Sequence, residues 1–234
     1  MKASREFLLV YMKLKTLEMT FRSTKKFKEN ILCTRGFFAT KFNEYVQLHN
    51  HITDKLVYSY PTIQYKVVRN RPLILGINEG IDVLKEIFDD FDTVRLGETE
   101  YEIIQRSMTI KKQEFGLSDK IYFYEFLTPW LPFNKENHDK FVQIKSSEEQ
   151  KEMLRRILTG NLLSMSKGIG YTVPDKIKCD IDLQVTRSEY KGINFLSFNG
   201  GFMANFCIPN HLGIGKAAAM GKGTVQKIRV YRDN

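Results

Sequence analysis

The sequence predicts an α+β protein made of two tandem ferredoxin-like (RRM-like) domains. Three observations carry that expectation. The first half reads as strand, helix, two strands, helix and strand, the β-α-β-β-α-β order of a ferredoxin-like unit. The second half has a similar length and repeats the order more loosely. The 234 residues are 42% hydrophobic and 12% aromatic, enough to bury cores rather than remain disordered. The domains expected are residues 1–118 and 119–234, joined near 115–125.

"FLLVYMKLKTLEMTF", from Phe7, is rich in strand formers and partly alternates from Lys13 to Phe21, so it reads as a strand. Ser23 is placed to cap a helix beginning near Lys25. From Lys25 to Leu48, Phe27, Ile31, Phe38, Phe42 and Tyr45 recur at three-to-four spacing, predicting a helix that ends near Asn50. "YSYPTIQYKVVRN" and "RPLILGI" predict two strands around a turn at Asn70-Arg71-Pro72. "GIDVLKEIFDDF" places Ile81, Leu84, Ile87, Phe88 and Phe91 on one helical face with the acids outside, and "YEIIQRSMTIKKQEF" returns to strand.

In the second half, "KIYFYEFLTPWLPF" is an aromatic strand broken by Pro129 and Pro132. "SSEEQKEMLRRILTGNLLSMSKGIG" opens on a capping signal and carries Met153, Leu154, Ile157, Leu158 and Leu162 at helical spacing. "KIKCDIDLQVTRSEYKGINFLSFNGGFMANFCIP" alternates as two or three strands, and "GTVQKIRVYR" closes as a strand.

The formal charge of +9 is unevenly spread. Residues 1–41 carry ten Lys/Arg against three acids, residues 211–234 five against one, and residues 78–102 nine acids against two bases. Such concentration favours a polyanionic partner, because each neutralised phosphate releases condensed counterions. A solvated basic face is the plainer alternative. Cys33, Cys179 and Cys207 form no paired spacing, which argues against a disulfide framework or zinc site and fits a reducing compartment. "FLLVY" is too short for a membrane span and lacks a cleavage site after it, so a soluble cytoplasmic protein is expected.

Two stretches carry candidate chemistry. "GIGKAAAMGKG", residues 213–223, holds four glycines and two lysines. It is not a Walker A loop: Gly215 and Gly221 are one residue too far apart, and Gly223 stands where a hydroxyl should hold magnesium. Gly213, Gly215 and Ala218 match a dinucleotide fingerprint, but too little chain comes after them for the βαβ unit it must open. A flexible glycine loop would leave the lysines unexplained. The second stretch, "FFATKFNEYVQLHNHITDKLVYSYP" (37–61), places His49 and His51 at a helix end, with Lys41 about two helical turns earlier and Tyr58 and Tyr60 just after. Two histidines can supply a base and an acid at neutral pH. Capping a helix end is the alternative role. A metal site is not expected, since His49, His51 and Asp54 miss the binuclear spacing and the other histidines, His138 and His211, are distant.

With both stretches in view, the sequence resembles a family. "GIGKAAAMGKG" is similar to the C-terminal glycine-rich loop of the repeat-associated RNA-binding proteins of CRISPR systems, with Lys222 replacing a usual apolar residue. "FFATKFNEYVQLHNH", "YSYPTIQYK" and "PLILGINEG" resemble one branch of the CRISPR precursor-RNA processing endoribonucleases. The resemblance implies that His49 and His51 are the catalytic pair, with Lys41 and Tyr58 in support. It implies cleavage without metal or other cofactor, leaving 2′,3′-cyclic phosphate and 5′-hydroxyl ends. Gly213, Gly215, Lys216, Gly221, Lys222 and Gly223 would then hold the RNA backbone through N–H groups and the two amines. CRISPR repeat RNA is the implied partner; effector-complex subunits and a second copy of the chain are further partners of such proteins, and no membrane is involved. A non-catalytic RNA-binding subunit of the same fold is the rival reading, and it would need no histidine pair.

Overall fold

The computed structural model describes residues 11–28, 31–49, 60–68, 71–190 and 192–232. In chain order the elements are β1 (Met12–Ser23), α1 (Ile31–Lys41), α2 (Val46–His49), β2 (Ile63–Val68), β3 (Arg71–Ile77), α3 (Gly80–Glu86), β4 (Thr93–Leu96) and β5 (Thr99–Phe126). Next come α4 (Lys135–Gln143), α5 (Ser147–Ile169), β6 (Cys179–Tyr190), β7 (Ile193–Cys207) and β8 (Val225–Arg232).

The sheet runs β2-β3-β1-β5-β7-β6, with β4 and β8 also pairing β5, and every pairing is antiparallel. In the first half the fourth, first, third and second strands of the ferredoxin-like unit are β5, β1, β3 and β2. In the second half they are β8, the end of β5, β7 and β6. The tandem order expected from sequence is therefore present, with one strand shared.

That sharing is a correction. "YEIIQRSMTIKKQEF" and "KIYFYEFLTPWLPF" read as separate strands, but β5 is one 28-residue strand through both. Its early part pairs β1 and its later part pairs β7 and β8. Gly116, at φ +128°, makes the bend, and a side chain there would collide with the Tyr171 ring. Tyr171 Oη accepts from the Leu117 amide at 3.0 Å, which fixes the bend from the α5 side.

Strands β2 and β3 and the middle of β1 are buried on both faces, which explains the imperfect alternation in their sequences. From β1, Leu17, Met19 and Phe21 enter a core with Phe38 and Leu84 from the helices of the first half and Ile87 just after α3. The opposite face supplies Leu14, and β3 supplies Leu73, Leu75 and Ile77, to a core shared with Leu158 and Leu162 of α5 and with Ile208, Leu212 and Ile214. The second face of the first sheet is thus an internal seam between the halves.

Other expectations shift. Residues 25–28 are not helical; the Ser23 hydroxyl donates to the Lys25 carbonyl instead of capping a helix. The single helix expected to Leu48 is two, because the chain turns at 42–44, where the Tyr45 amide donates to Phe42 O at 3.2 Å. Arg71 and Pro72 already belong to β3, so they are not turn residues. Phe7–Val10, Asn50 and Asn70 lie outside the described residues. The α5 start behaves as read: Ser146 accepts from the Glu149 amide, and Gly170 ends the helix at φ +89°. The sequence reading missed α4, capped by Asn134 accepting from the Asn137 amide at 2.8 Å.

Candidate nucleic-acid interface

On β2 alternate side chains go opposite ways: Ile63 and Tyr65 into the first core, Gln64 and Lys66 into the seam. These two buried polar side chains require partners, and the glycine loop supplies them. Gln64 Oε1 accepts from the Gly213 amide at 3.0 Å, and Lys66 Nζ donates to Thr224 Oγ1 at 3.2 Å. Thr224 Oγ1 and Thr128 Oγ1 both donate to Gly221 O, at 3.0 and 2.6 Å. Tyr60 Oη, just before β2, donates to Gly213 O at 2.8 Å. Burial drives the Tyr60 phenol pKa up, so it stays a donor, and drives Lys66 down to about 7.

The glycines are structural parts of this seam. Gly223 sits at φ +60° with Ile214 O only 2.1 Å from where a Cβ would lie; at Gly221, φ +76°, the corresponding obstacle is Tyr65 O at 2.8 Å. Gly213, Gly221 and Gly223 are buried, whereas Gly215 is half-buried. The amides of Lys216, Gly221, Lys222 and Gly223 already donate to Leu131 O, Ala218 O, Ala217 O and Pro129 O. The structure thus engages these amides within the protein. With the Gly213 amide held by Gln64, they are spent on closing the loop.

What remains outward is the pair of lysines. Lys216 is exposed, its Nζ 4.5 Å from the centre of the Phe195 ring on β7. Lys222 is half-buried and donates to Ser188 Oγ on β6; burial lowers its pKa. Both amines therefore lie along the β6–β7 side of the loop.

The histidine segment is described only in part. Lys41 ends α1, exposed, with Nζ 5.5 Å from the Phe42 ring centre. His49 ends α2. The turn between α1 and α2 means that the two-turn spacing of a single helix does not relate Lys41 to His49. His51 and Tyr58 lie outside the described residues. The chain is next described at Tyr60, which is bonded to the glycine loop and packed against Gly168 of α5. His211 serves the seam: its Nδ1 is 2.7 Å from Glu18 Oε1, and that bond holds the Glu18 carboxyl below its usual range.

The family models for the Cas6b N-terminal domain and the Cas6b C-terminal domain match residues 12–114 and 116–228. The chain belongs to the Cas6b family. A crystal structure of Cas6b is 35% identical, with a TM-score of 0.86, covering 93% of this chain and 100% of that one. A second, of a protein described as the CRISPR RNA processing endoribonuclease Cas6b, is 33% identical at a TM-score of 0.74, with the same coverage. An uncharacterized protein of Methanocaldococcus jannaschii is 36% identical over 129 residues, 55% of this chain and 87% of that protein.

Sequence reasoning overlooked a further feature of this Cas6b chain. Lys135, Lys140, Lys145 and Arg156 join Lys216 along an open groove of about 1270 Å³ between α4, α5 and the glycine loop. Residues 135–156 contain six Lys/Arg and five acids, so the window averages to near neutrality. Only the separation of helix faces reveals the basic side.

Proposed function

We propose that this chain is a metal-independent endoribonuclease that cuts CRISPR precursor RNA within the repeat. Cas6b membership supports the substrate class, and the Tyr60–Gly213 bond is the observation that carries the division of labour. It ties the chain just beyond His51 and Tyr58 to the loop that offers Lys216 and Lys222. In this reading residues 1–118 perform the chemistry and residues 119–234 hold the RNA, in the cytoplasm, with effector-complex subunits and a second copy of the chain as further partners.

One member of the pair His49 and His51 takes the proton from a ribose 2′-hydroxyl. The freed oxygen attacks the adjacent phosphorus in line, closing the cyclic phosphodiester as the bond to the 5′-oxygen breaks. The other histidine, protonated, gives its proton to that departing oxygen. Lys41 stabilises charge on the phosphorane and Tyr58 orients the reacting groups. The products are a 2′,3′-cyclic phosphate and a 5′-hydroxyl, with no water or oxidant consumed.

The test is single-turnover cleavage of repeat RNA in excess EDTA. The wild-type chain is expected to cut, whereas a substrate with 2′-deoxyribose upstream of the scissile phosphate stays intact. At least one of His49→Ala and His51→Ala loses about 10²-fold or more in rate, with RNA affinity little changed. Activity that disappears in EDTA and returns with magnesium overturns the mechanism. Normal cutting by both histidine variants returns the pair to a helix-end role.

A further inference from the structure

Helix α5 sorts its charges. On one side, Arg155 pairs with Glu148 and Glu152 at 3.1 and 3.0 Å, and Lys151 with Asp180 at 3.5 Å. Those pairs consume most of the acids nearby. On α4, Lys140 pairs with Glu136 at 2.6 Å. Lys135, Lys145, Arg156 and Lys216 line the groove without a carboxylate in ion-pair range among the described residues. Among the described residues, Glu149 is the one acid lining it.

Four uncompensated cations facing one concave surface repel each other, and solvent alone gives no reason to collect them there. Amides and hydroxyls lie among them: Asn134, Asn137, Gln143, Asn161 and Ser164. At its Lys216 end the groove meets a smaller depression of about 240 Å³, which shares Lys135 and Lys216 and is walled by Phe195 and His138. A positive track bordered by rings is the pattern that binds single-stranded nucleic acid, by phosphate contacts and base stacking. A continuous A-form duplex is a wide, rigid rod, and duplex readers span its grooves from outside rather than enclosing it.

We propose that the α4–α5 groove is a second RNA-binding site, which holds a single-stranded flank of the RNA as it leaves the glycine loop past Lys216. The inference rests on the RNA-processing reading above, and adds a path to it. The ligand is a phosphodiester backbone, contacted by Lys135, Lys145 and Arg156, with bases directed toward Phe195 and His138.

The probe is a length series of single-stranded 2′-O-methyl uridine oligomers, which bind but resist cleavage, titrated over a range of salt concentrations beside repeat RNA. For the wild-type chain, affinity and salt slope rise with length and then level off. Lys135→Ala/Lys145→Ala/Arg156→Ala should lower the slope for long oligomers by about 2, at 0.7 per lost contact, and leave the shortest binders unchanged. Lys135→Arg/Lys145→Arg/Arg156→Lys keeps the charge and should bind as wild type. A triple alanine variant with wild-type slope and affinity for long oligomers overturns the groove while repeat RNA binding, and the main reading, survive. Failure of the wild-type chain to bind any RNA removes that reading as well. Tighter binding of poly-glutamate than of RNA, lost in the triple variant, would make the groove a protein interface and also overturn the proposal.

Discussion

The two halves differ most at one corresponding place, the crossing after the third strand of each ferredoxin-like unit. In the first half that crossing is α3, whose Ile81, Val83 and Leu84 are buried and close the core beneath β1 and β3. In the second half the stretch between β7 and β8 has a single 3₁₀ turn at Ala218–Met220 and the glycine loop around it. A helix there would carry its own apolar stripe and satisfy its own backbone. The loop closes only part of its own backbone, and Gln64, Tyr60, Thr128 and Thr224 meet other amides and carbonyls in it. The first half thus closes this crossing with its own helix, and the second closes it partly on its neighbour. The difference leaves small residues at the seam and two lysines on the far side.

The largest expected effect comes from forcing a side chain into the loop. Gly223→Ala meets a backbone carbonyl and a positive φ together, and neither can relax without opening the Gly213–Thr224 bridge. A loss of about 3 kcal/mol or more in urea unfolding is expected, with weaker RNA binding at every salt concentration. A variant within experimental error of wild type would mean that the loop is not locked to the seam as described.

Lys66 gives the next effect, and its sign comes from burial. Its pKa is about 7 when folded and near the usual lysine value when unfolded. Between pH 7 and pH 10 the unfolded chain holds the extra proton, so this group makes stability rise with pH. Below pH 7 its full burial penalty is present in the folded state. Lys66→Met should therefore be the more stable protein at pH 6, by an amount on the order of a few kcal/mol. The gap should close as pH approaches 10. Paired urea titrations at pH 6, 8 and 10 measure this, and a gap independent of pH would mean that Lys66 is not titrating in the seam.

How much of this was legible in the sequence depends on the range of the interaction. The ferredoxin-like order was legible because Leu17, Met19 and Phe21, or Leu154, Leu158 and Leu162, declare their periods locally. The start of α5 was legible because Ser146 and Glu149 lie three residues apart. The shared strand β5 was not: Gly116 looks like a break until Tyr171, more than fifty residues later, holds the bend. The roles of the glycines were half legible. Their conformational need shows in the motif, but the space beside Gly221 and Gly223 is filled by a carbonyl from β2 and one from the loop itself. The basic groove was hidden for a different reason, since Arg155 and Arg156 are adjacent in sequence yet only Arg155 is neutralised by ion pairs.

The smallest expected effect tests the opposite kind of glycine. Gly36 lies inside α1, exposed, and a Cβ added there meets nothing within 4 Å. It has neither the positive φ nor the crowded surroundings of Gly223, so its only local consequence is backbone entropy. Gly36→Ala should stabilise the chain by about 0.5–1 kcal/mol through helix propensity, read as a raised urea midpoint with an unchanged slope. Since α1 ends at Lys41, the same variant asks whether stiffening the helix reaches the proposed chemistry. Cleavage at the wild-type rate would separate the two kinds of glycine cleanly: one demanded by packing, the other tolerated in a helix. A stabilised variant that cuts more slowly would instead show that α1 must yield during the reaction.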